Sequence, residues 1–193
     1  GGAGGGADAT KVEEEKRKMY DRTLTQADAI MLVALGAFAE RAPDRAPITI
    51  VTADHGESLG DHGAPYHATD LYNSNIHVPF VLAGPGIKPQ RVAETVSLTD
   101  LTPTIIELAG FDPPTGNHID GRSLADLLTG RRLGDPTGGI AFAAMIKDRS
   151  NAGGVTALVR GNWKLIDNSV GLELYDVRAD PGERINLVNV RPE

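Results

Sequence analysis

The sequence predicts an α/β protein, and three observations carry that expectation. Apolar residues recur at three- and four-residue intervals in the first third of the chain, as on one face of a helix. Two short apolar runs further on are bounded by proline and glycine, as short strands are. These segments alternate through the middle of the chain as helix, strand, strand, helix and short helix.

Five of the first seven residues, Gly1 to Ala7, are glycine, a composition that buries nothing and predicts a flexible linker. Residues 8–18 are nearly all charged or polar with mixed signs, which suits a solvated helical lead-in. Tyr20, Leu24, Ala27, Met31, Leu35 and Phe38 mark one apolar helix face, and Pro43 stops it. Asp28 within this helix reads as a solvated or capping acid. Ile48 to Val51 reads as a short buried strand between Pro47 and a polar loop. Val78 to Leu82 is a second strand, ended by Gly84-Pro85-Gly86, and Pro79 places it at a strand start or sheet edge.

Thr102 is expected to cap the next helix, with Pro103 in its first turn and Gly110 just past its end. Ser123 and Asp126 resemble a capping box ahead of Leu127 and Leu128, and Gly130 ends that helix. After residue 138 the texture changes to short strands at 140–146, 155–160, 163–167 and 172–175. Turns fall at Gly153-Gly154, Gly161-Asn162 and Asn168, and the Gly161-Asn162 pair marks a two-residue hairpin. The expected division is a flexible, charged lead-in over 1–19, an α/β body over 20–149, and a small antiparallel β subdomain with a tail over 150–193.

Composition narrows the function. The chain has 193 residues, with 19 Lys+Arg against 26 Asp+Glu and a net charge of −7. That balance speaks against nucleic acid as the main partner, because phosphate binding needs a basic face. No apolar run approaches the ~18 residues of a transmembrane helix, and no signal-peptide pattern is visible. Cysteine is absent, so this sequence encodes no disulfide, no Cys-ligated zinc and no cysteine nucleophile. The compartment is left open, because a chain without Cys folds in either redox state.

The chemistry concentrates in Val51-Thr52-Ala53-Asp54-His55-Gly56-Glu57-Ser58-Leu59-Gly60-Asp61-His62-Gly63. Asp54 and His55 stand just past the carboxyl end of a strand, the edge where α/β sheets bind ligands. Acids and imidazoles are gathered there among glycines that let the backbone turn and approach a ligand. A carboxylate beside an imidazole suits a divalent metal, or a base with its orienting acid. The bland alternative is an Asp capping a turn with a His packed on it.

Thr52-Ala53-Asp54-His55-Gly56-Glu57 with Gly60-Asp61-His62-Gly63 resembles the signature of the sulfatase branch of the alkaline phosphatase superfamily. Further segments match that family in order. They are Leu71-Tyr72 with His77-Val78-Pro79-Phe80-Val81 and Gly84-Pro85-Gly86; Ser97 to Thr104; Asp120-Gly121-Arg122-Ser123-Leu124; and Trp163-Lys164-Leu165-Ile166 with Leu174-Tyr175-Asp176, Asp180-Pro181-Gly182-Glu183 and Asn186-Leu187. The resemblance covers roughly residues 20 to 190 and implies an alkaline-phosphatase-like α/β sandwich.

It also implies a sulfuric ester hydrolase dependent on a divalent metal, with phosphomonoester, phosphodiester or phosphoglycerol-transfer chemistry as the alternative. Asp54 and His55 match two metal ligands of the family. Calcium is the usual ion; His55 stands where many members have Asn, and its nitrogen would suit manganese or zinc. His67 stands where members carry a Lys or His against the sulfuryl or leaving oxygen, so it is the candidate catalytic residue. His62 reads as shaping its loop, His77 as structural or at the rim, and His118 as a possible lining of a substrate mouth. Tyr72, Asp100, Trp163 and Tyr175 read as scaffold, and Lys164 as ordinary strand alternation.

One departure matters. The family's nucleophile is a formylglycine made in a Cys/Ser-x-Pro/Ala-x-Arg motif. Ser58, Ser74, Ser97, Ser123, Ser150 and Ser169 all fall outside that context. The expectation is a C-terminal portion of a sulfatase-like enzyme, partnered by an N-terminal half and inactive alone. A sulfate or phosphate ester is the expected substrate. A non-catalytic binding module on the same scaffold is the competing expectation. Localisation stays unknown; export is only a family-based hint.

Overall fold

The computed structural model describes residues 5–64, 67, 70–116, 118–146 and 154–190. Helix α1 (Gly5–Arg41) comes first, then strand β1 (Thr49–Thr52), short helix α2 (Asn73–Ile76) and strand β2 (Phe80–Ala83). Helices α3 (Leu101–Leu108) and α4 (Ala125–Leu128) follow. Strands β3 (Ala141–Ile146), β4 (Gly154–Arg160), β5 (Trp163–Asn168) and β6 (Gly171–Asp176) complete the order. This is the mixed helix and strand content that the alternation predicted.

Helix α1 is longer than its apolar face required. It begins at Gly5, so the flexible lead expected through Ala7 is helical over its last three residues; the first four lie outside the described residues. The acids and bases at 8–18 extend it, and a Lys18–Glu14 ion pair of 2.9 Å spans one turn. The apolar face did not find a core. Tyr20, Leu24, Met31, Leu35 and Phe38 are all exposed, and so are Ile30, Leu32 and Val33 on other faces. A stretch apolar on every side, as residues 30–38 are, belongs inside a larger assembly of elements. Among the described residues, no helix is long and apolar enough to cross a membrane.

Strands β1 and β2 pair antiparallel, with Thr52 opposite Phe80 and Thr49 opposite Ala83. Both are half-buried rather than fully buried. Pro79 lies just before β2, where its missing N–H costs no ladder bond. Beneath β2, Leu124, Leu127 and Leu128 form one core with Phe80, Leu82, Ile87, Val96 and Leu108.

Two cap expectations are corrected. Ser97, not Thr102, starts the helical segment, because a 3-10 turn at Leu98–Asp100 runs directly into α3. Ser97 and Asp100 form the reciprocal capping box there. Buried Asp100 also accepts the Arg122 N–H at 2.9 Å. Ahead of α4, Ser123 accepts the Ala125 N–H at 3.2 Å, but Asp126 turns outward to Arg131 instead of closing a box.

The second sheet has the strand order β3-β4-β5-β6, antiparallel throughout. Arg160 pairs with Trp163, so Gly161-Asn162 is the two-residue hairpin turn, and Gly161 takes a left-handed φ of 57°. The sheet begins at Ala141, upstream of the division expected at 150; Gly153 and residue 150 itself lie outside the described residues. Val155, Ala157, Ile166 and Tyr175 line its buried face and pack on Leu71, Tyr72 and Ile76 beside α2. Lys164 sits on that same face, fully buried, with its Nζ 2.6 Å from the Glu183 Oε1. It is therefore no ordinary alternation. Burial alone holds this ammonium below its usual pKa, and the Glu183 carboxylate acts against that.

Candidate metal and substrate site

The site grows from the carboxyl end of β1. Asp54 lies two residues past Thr52, on the loop that leaves the strand. Its carboxylate is 90 % exposed, and its Oδ1 accepts the His55 backbone N–H at 3.0 Å. His55 is half-exposed, and its Nδ1 lies 2.7 Å from the Gly56 carbonyl oxygen. A carbonyl only accepts, so that contact places the proton on Nδ1 and leaves a lone pair on Nε2. Nε2 stands 3.8 Å from the Asp54 Oδ2, too far for a hydrogen bond and close enough for both atoms to address one cation.

That arrangement fits two ligands of a divalent metal: a free carboxylate oxygen, and an imidazole whose other nitrogen is held by a carbonyl. It does not make a complete shell. Among the described residues, no three His, Asp or Glu side chains converge into a metal site.

His67 joins them across the loop. Its ring stacks on that of His55, with centroids 4.4 Å apart and planes 22° apart. Its backbone N–H donates to the Glu57 Oε1 at 2.7 Å, and its Nδ1 lies 2.9 Å from the Glu57 Oε2. The ring bond from His67 holds the Glu57 carboxyl below its ordinary pKa; partial burial pulls the other way. With Nδ1 committed to Glu57, His67 has Nε2 left for a ligand. Glu57 is the partner that sequence reading had not assigned. Only a folded loop brings it onto a histidine ten residues away, so no local pattern announced it.

The other histidines separate from this cluster. His62 has a left-handed φ of 53°, stacks on Tyr72 at 3.5 Å, and sets its Nε2 3.0 Å from the Gly182 carbonyl oxygen. It ties its loop to the C-terminal segment. His77 is exposed at the end of α2. His118 is exposed and lies beside Asp120 at 3.2 Å. Tyr72 and Tyr175 both donate to the Glu173 Oε2, at 2.8 and 2.7 Å. Burial, then that bond, pushes the Tyr72 hydroxyl up to about 12. Tyr175 is buried in the sheet core, while Trp163 is partly exposed.

The solved structures that share this architecture are of the alkaline-phosphatase-like fold. A 2-O GAG sulfatase superposes on 72% of this chain and 31% of its own, with a TM-score of 0.59 and 32% identity. A phosphonate monoester hydrolase of Agrobacterium radiobacter superposes on 74% of this chain and 31% of its own, with a TM-score of 0.59 and 28% identity.

In sequence, the sulfatase family profile matches residues 3–111, and that of the N-sulphoglucosamine sulphohydrolase C-terminal region matches residues 60–192. The chain belongs to the sulfatase family. It is 30% identical over 186 residues to arylsulfatase K of Rattus norvegicus, covering 92% of this chain and 32% of that protein. It is 33% identical over 149 residues to the Delta 4,5-hexuronate-2-O-sulfatase of Bacteroides thetaiotaomicron, covering 74% of this chain and 31% of that protein. The chain thus spans about a third of the length of these curated relatives.

Proposed function

We propose that this chain contributes part of the active site of a sulfuric ester hydrolase. Asp54 and His55 are two ligands of its divalent metal, and His67 is the residue that meets the ester oxygens. The observation that carries this reading is the single cluster past β1, where the Asp54 Oδ2, the His55 Nε2 and the His67 ring lie together and, among the described residues, their outward atoms have no structural duty. When bound, the cation supplies Lewis-acid polarisation of the ester oxygens. Asp54 and His55 orient the ion, Glu57 fixes the His67 ring, and His67 offers Nε2 to charge that develops on the sulfuryl or leaving oxygen.

Calcium is the ion of first choice by family resemblance; manganese and zinc suit the imidazole nitrogen better. A sulfated uronic acid sugar is the substrate class to try first, because one relative is named for 2-O-sulfated hexuronate. The second reading is phosphonate or phosphate monoester hydrolysis, favoured by the likeness to the phosphonate monoester hydrolase. The nucleophile motif is absent from these 193 residues, so the chain alone is expected to bind metal weakly and turn over neither ester class.

The test is a Mn2+ titration of the protein followed by NMR. Selective broadening of the Asp54, His55 and His67 signals, lost in His55→Ala, is the expected result. Broadening spread over surface acids, unchanged in His55→Ala, removes the metal-ligand assignment. Clear turnover of an aryl sulfate by the chain alone removes the expectation of inactivity.

A further inference from the structure

The geometry points to Lys164 and Glu183, acting through Asn73, as positioning residues for the Asp54–His55 loop. This rests on the metal-ligand reading above and assigns a use to the Trp163-Lys164 and Asp180-Pro181-Gly182-Glu183 motifs, which the site itself does not absorb.

The links are continuous. Lys164 Nζ, fully buried, lies 2.6 Å from the Glu183 Oε1 and donates to the Asn73 Oδ1 at 3.1 Å. The Glu183 Oε2 accepts the Asn73 backbone N–H at 2.6 Å. The pair therefore grips the first residue of α2 by both its side chain and its backbone. Two residues on, the Asn75 carbonyl accepts the Gly56 N–H at 2.7 Å. The Ser58 hydroxyl accepts from the Asn75 Nδ2 at 3.1 Å and lies 3.2 Å from the Ser74 hydroxyl. Gly56 and Ser58 flank Glu57, and the Gly56 carbonyl is the acceptor that sets the His55 tautomer. A Cβ on Gly56 would stand 1.9 Å from the Ser74 carbonyl oxygen, so the loop lies in backbone contact with α2.

Two opposite charges wholly removed from water are a costly way to hold a sheet together, since well-packed apolar residues would serve as well or better. Their shape and directionality suit a different task, the fixing of one backbone segment in one place. Here that segment bridges the C-terminal sheet to the loop that carries the metal ligands.

The test compares wild type with Asn73→Ala and with the double variant Lys164→Met/Glu183→Gln, which leaves no unpaired buried charge. Val155→Ala, a sheet-core change that removes none of these hydrogen bonds, is the stability control. Three readouts are taken: native-state hydrogen exchange of the Gly56 N–H, the His55 ring nitrogen shifts that report its tautomer, and Mn2+ affinity. The expected result is Gly56 exchange faster by about tenfold in Asn73→Ala, with mixed His55 tautomers and Mn2+ binding weaker by about tenfold. Val155→Ala is expected to leave all three near wild type.

If Gly56 exchange and the His55 tautomer stay at wild-type values in Asn73→Ala, the proposal is overturned. It is equally overturned if Val155→Ala moves them as far. Failure of wild type to bind Mn2+ removes the metal reading instead; Gly56 exchange and the His55 tautomer still decide the positioning role. Should the double variant not fold, Asn73→Ala decides alone.

Discussion

Two charged clusters in this protein are built in opposite ways. Around Glu94, the acid is nearly wholly buried at 1 % side-chain exposure, and every acceptor direction is taken. Arg132 grips it with contacts of 2.7 and 3.2 Å, Arg122 stands at 2.5 Å, and the Asp135 N–H donates at 2.9 Å. Around Asp54, the charges face solvent, and the His55 Nε2 is 3.8 Å from its neighbouring carboxylate. The first cluster spends its hydrogen-bonding capacity on the fold. Among the described residues, the second keeps its outward atoms uncommitted, while the Gly56 N–H and the Ser58 hydroxyl tie its loop down. A site that must bind needs free donors on a fixed frame; a scaffold needs saturated ones.

This contrast can be broken most forcefully at the frame of the second cluster. Gly56→Ala drives a Cβ into the Ser74 carbonyl, a backbone atom that cannot step aside cheaply. The expected cost is about 3 kcal/mol, with loss of the His55–His67 stacking, read by urea denaturation and by the His ring signals. The next largest effect belongs to the scaffold cluster. Glu94→Ala should destabilise by about 2 kcal/mol, because the half-exposed guanidiniums recover part of their solvation. Calorimetry should show it with no change in Mn2+ binding.

The same acid gives the protein a pH signature. The Arg132 bond, opposed by burial and helped by the Asp135 N–H and Arg122, holds the Glu94 carboxyl at about 2, against an ordinary 4.5. Between those values the unfolded chain binds a proton that the native chain does not, so stability rises with pH there. The contribution is fully present above pH 4.5 and is lost as pH falls through about 2. The stability gap between wild type and Glu94→Gln should therefore close across that window, measured by denaturation at stepped pH. The smallest effect on the fold is expected at the site. Asp54→Ala removes a solvent-facing carboxylate and should shift stability by no more than about 0.5 kcal/mol, while it weakens Mn2+ binding. A large loss of stability in that variant would mean the second cluster is scaffold after all.

Much of the fold was legible because local physics repeats in the chain. The hairpin at Gly161-Asn162 and the helix ends at Gly110 and Gly130 were written in single residues. Asp54 and His55 were legible as candidates because acids and imidazoles crowd a strand end, and His67 only through the family resemblance. Most of what escaped is long-range, the helix-starting cap apart. The helix-starting cap moved from Thr102 to Ser97 because a 3-10 turn precedes α3. Glu57 as the partner of His67, and the grip of Glu94 by Arg122 and Arg132, needed segments far apart in sequence to meet. The apolar stripe of α1 was read correctly as a helix, yet periodicity does not say what would cover it.

By itself the sequence determined most of the longer helices and strands, the hairpin register, and the membership in the sulfatase family that its ordered motifs announced. These depend on spacing, on turn residues and on short patterns, all of which are local. Tertiary structure alone decided that Lys164 lies buried against Glu183, that Asn73 joins that pair to α2, and that Gly56 touches Ser74 so closely that no side chain fits. Those are properties of distance between remote segments. A buried charge is tolerated only where its partner arrives, and that arrival is an event of the folded chain.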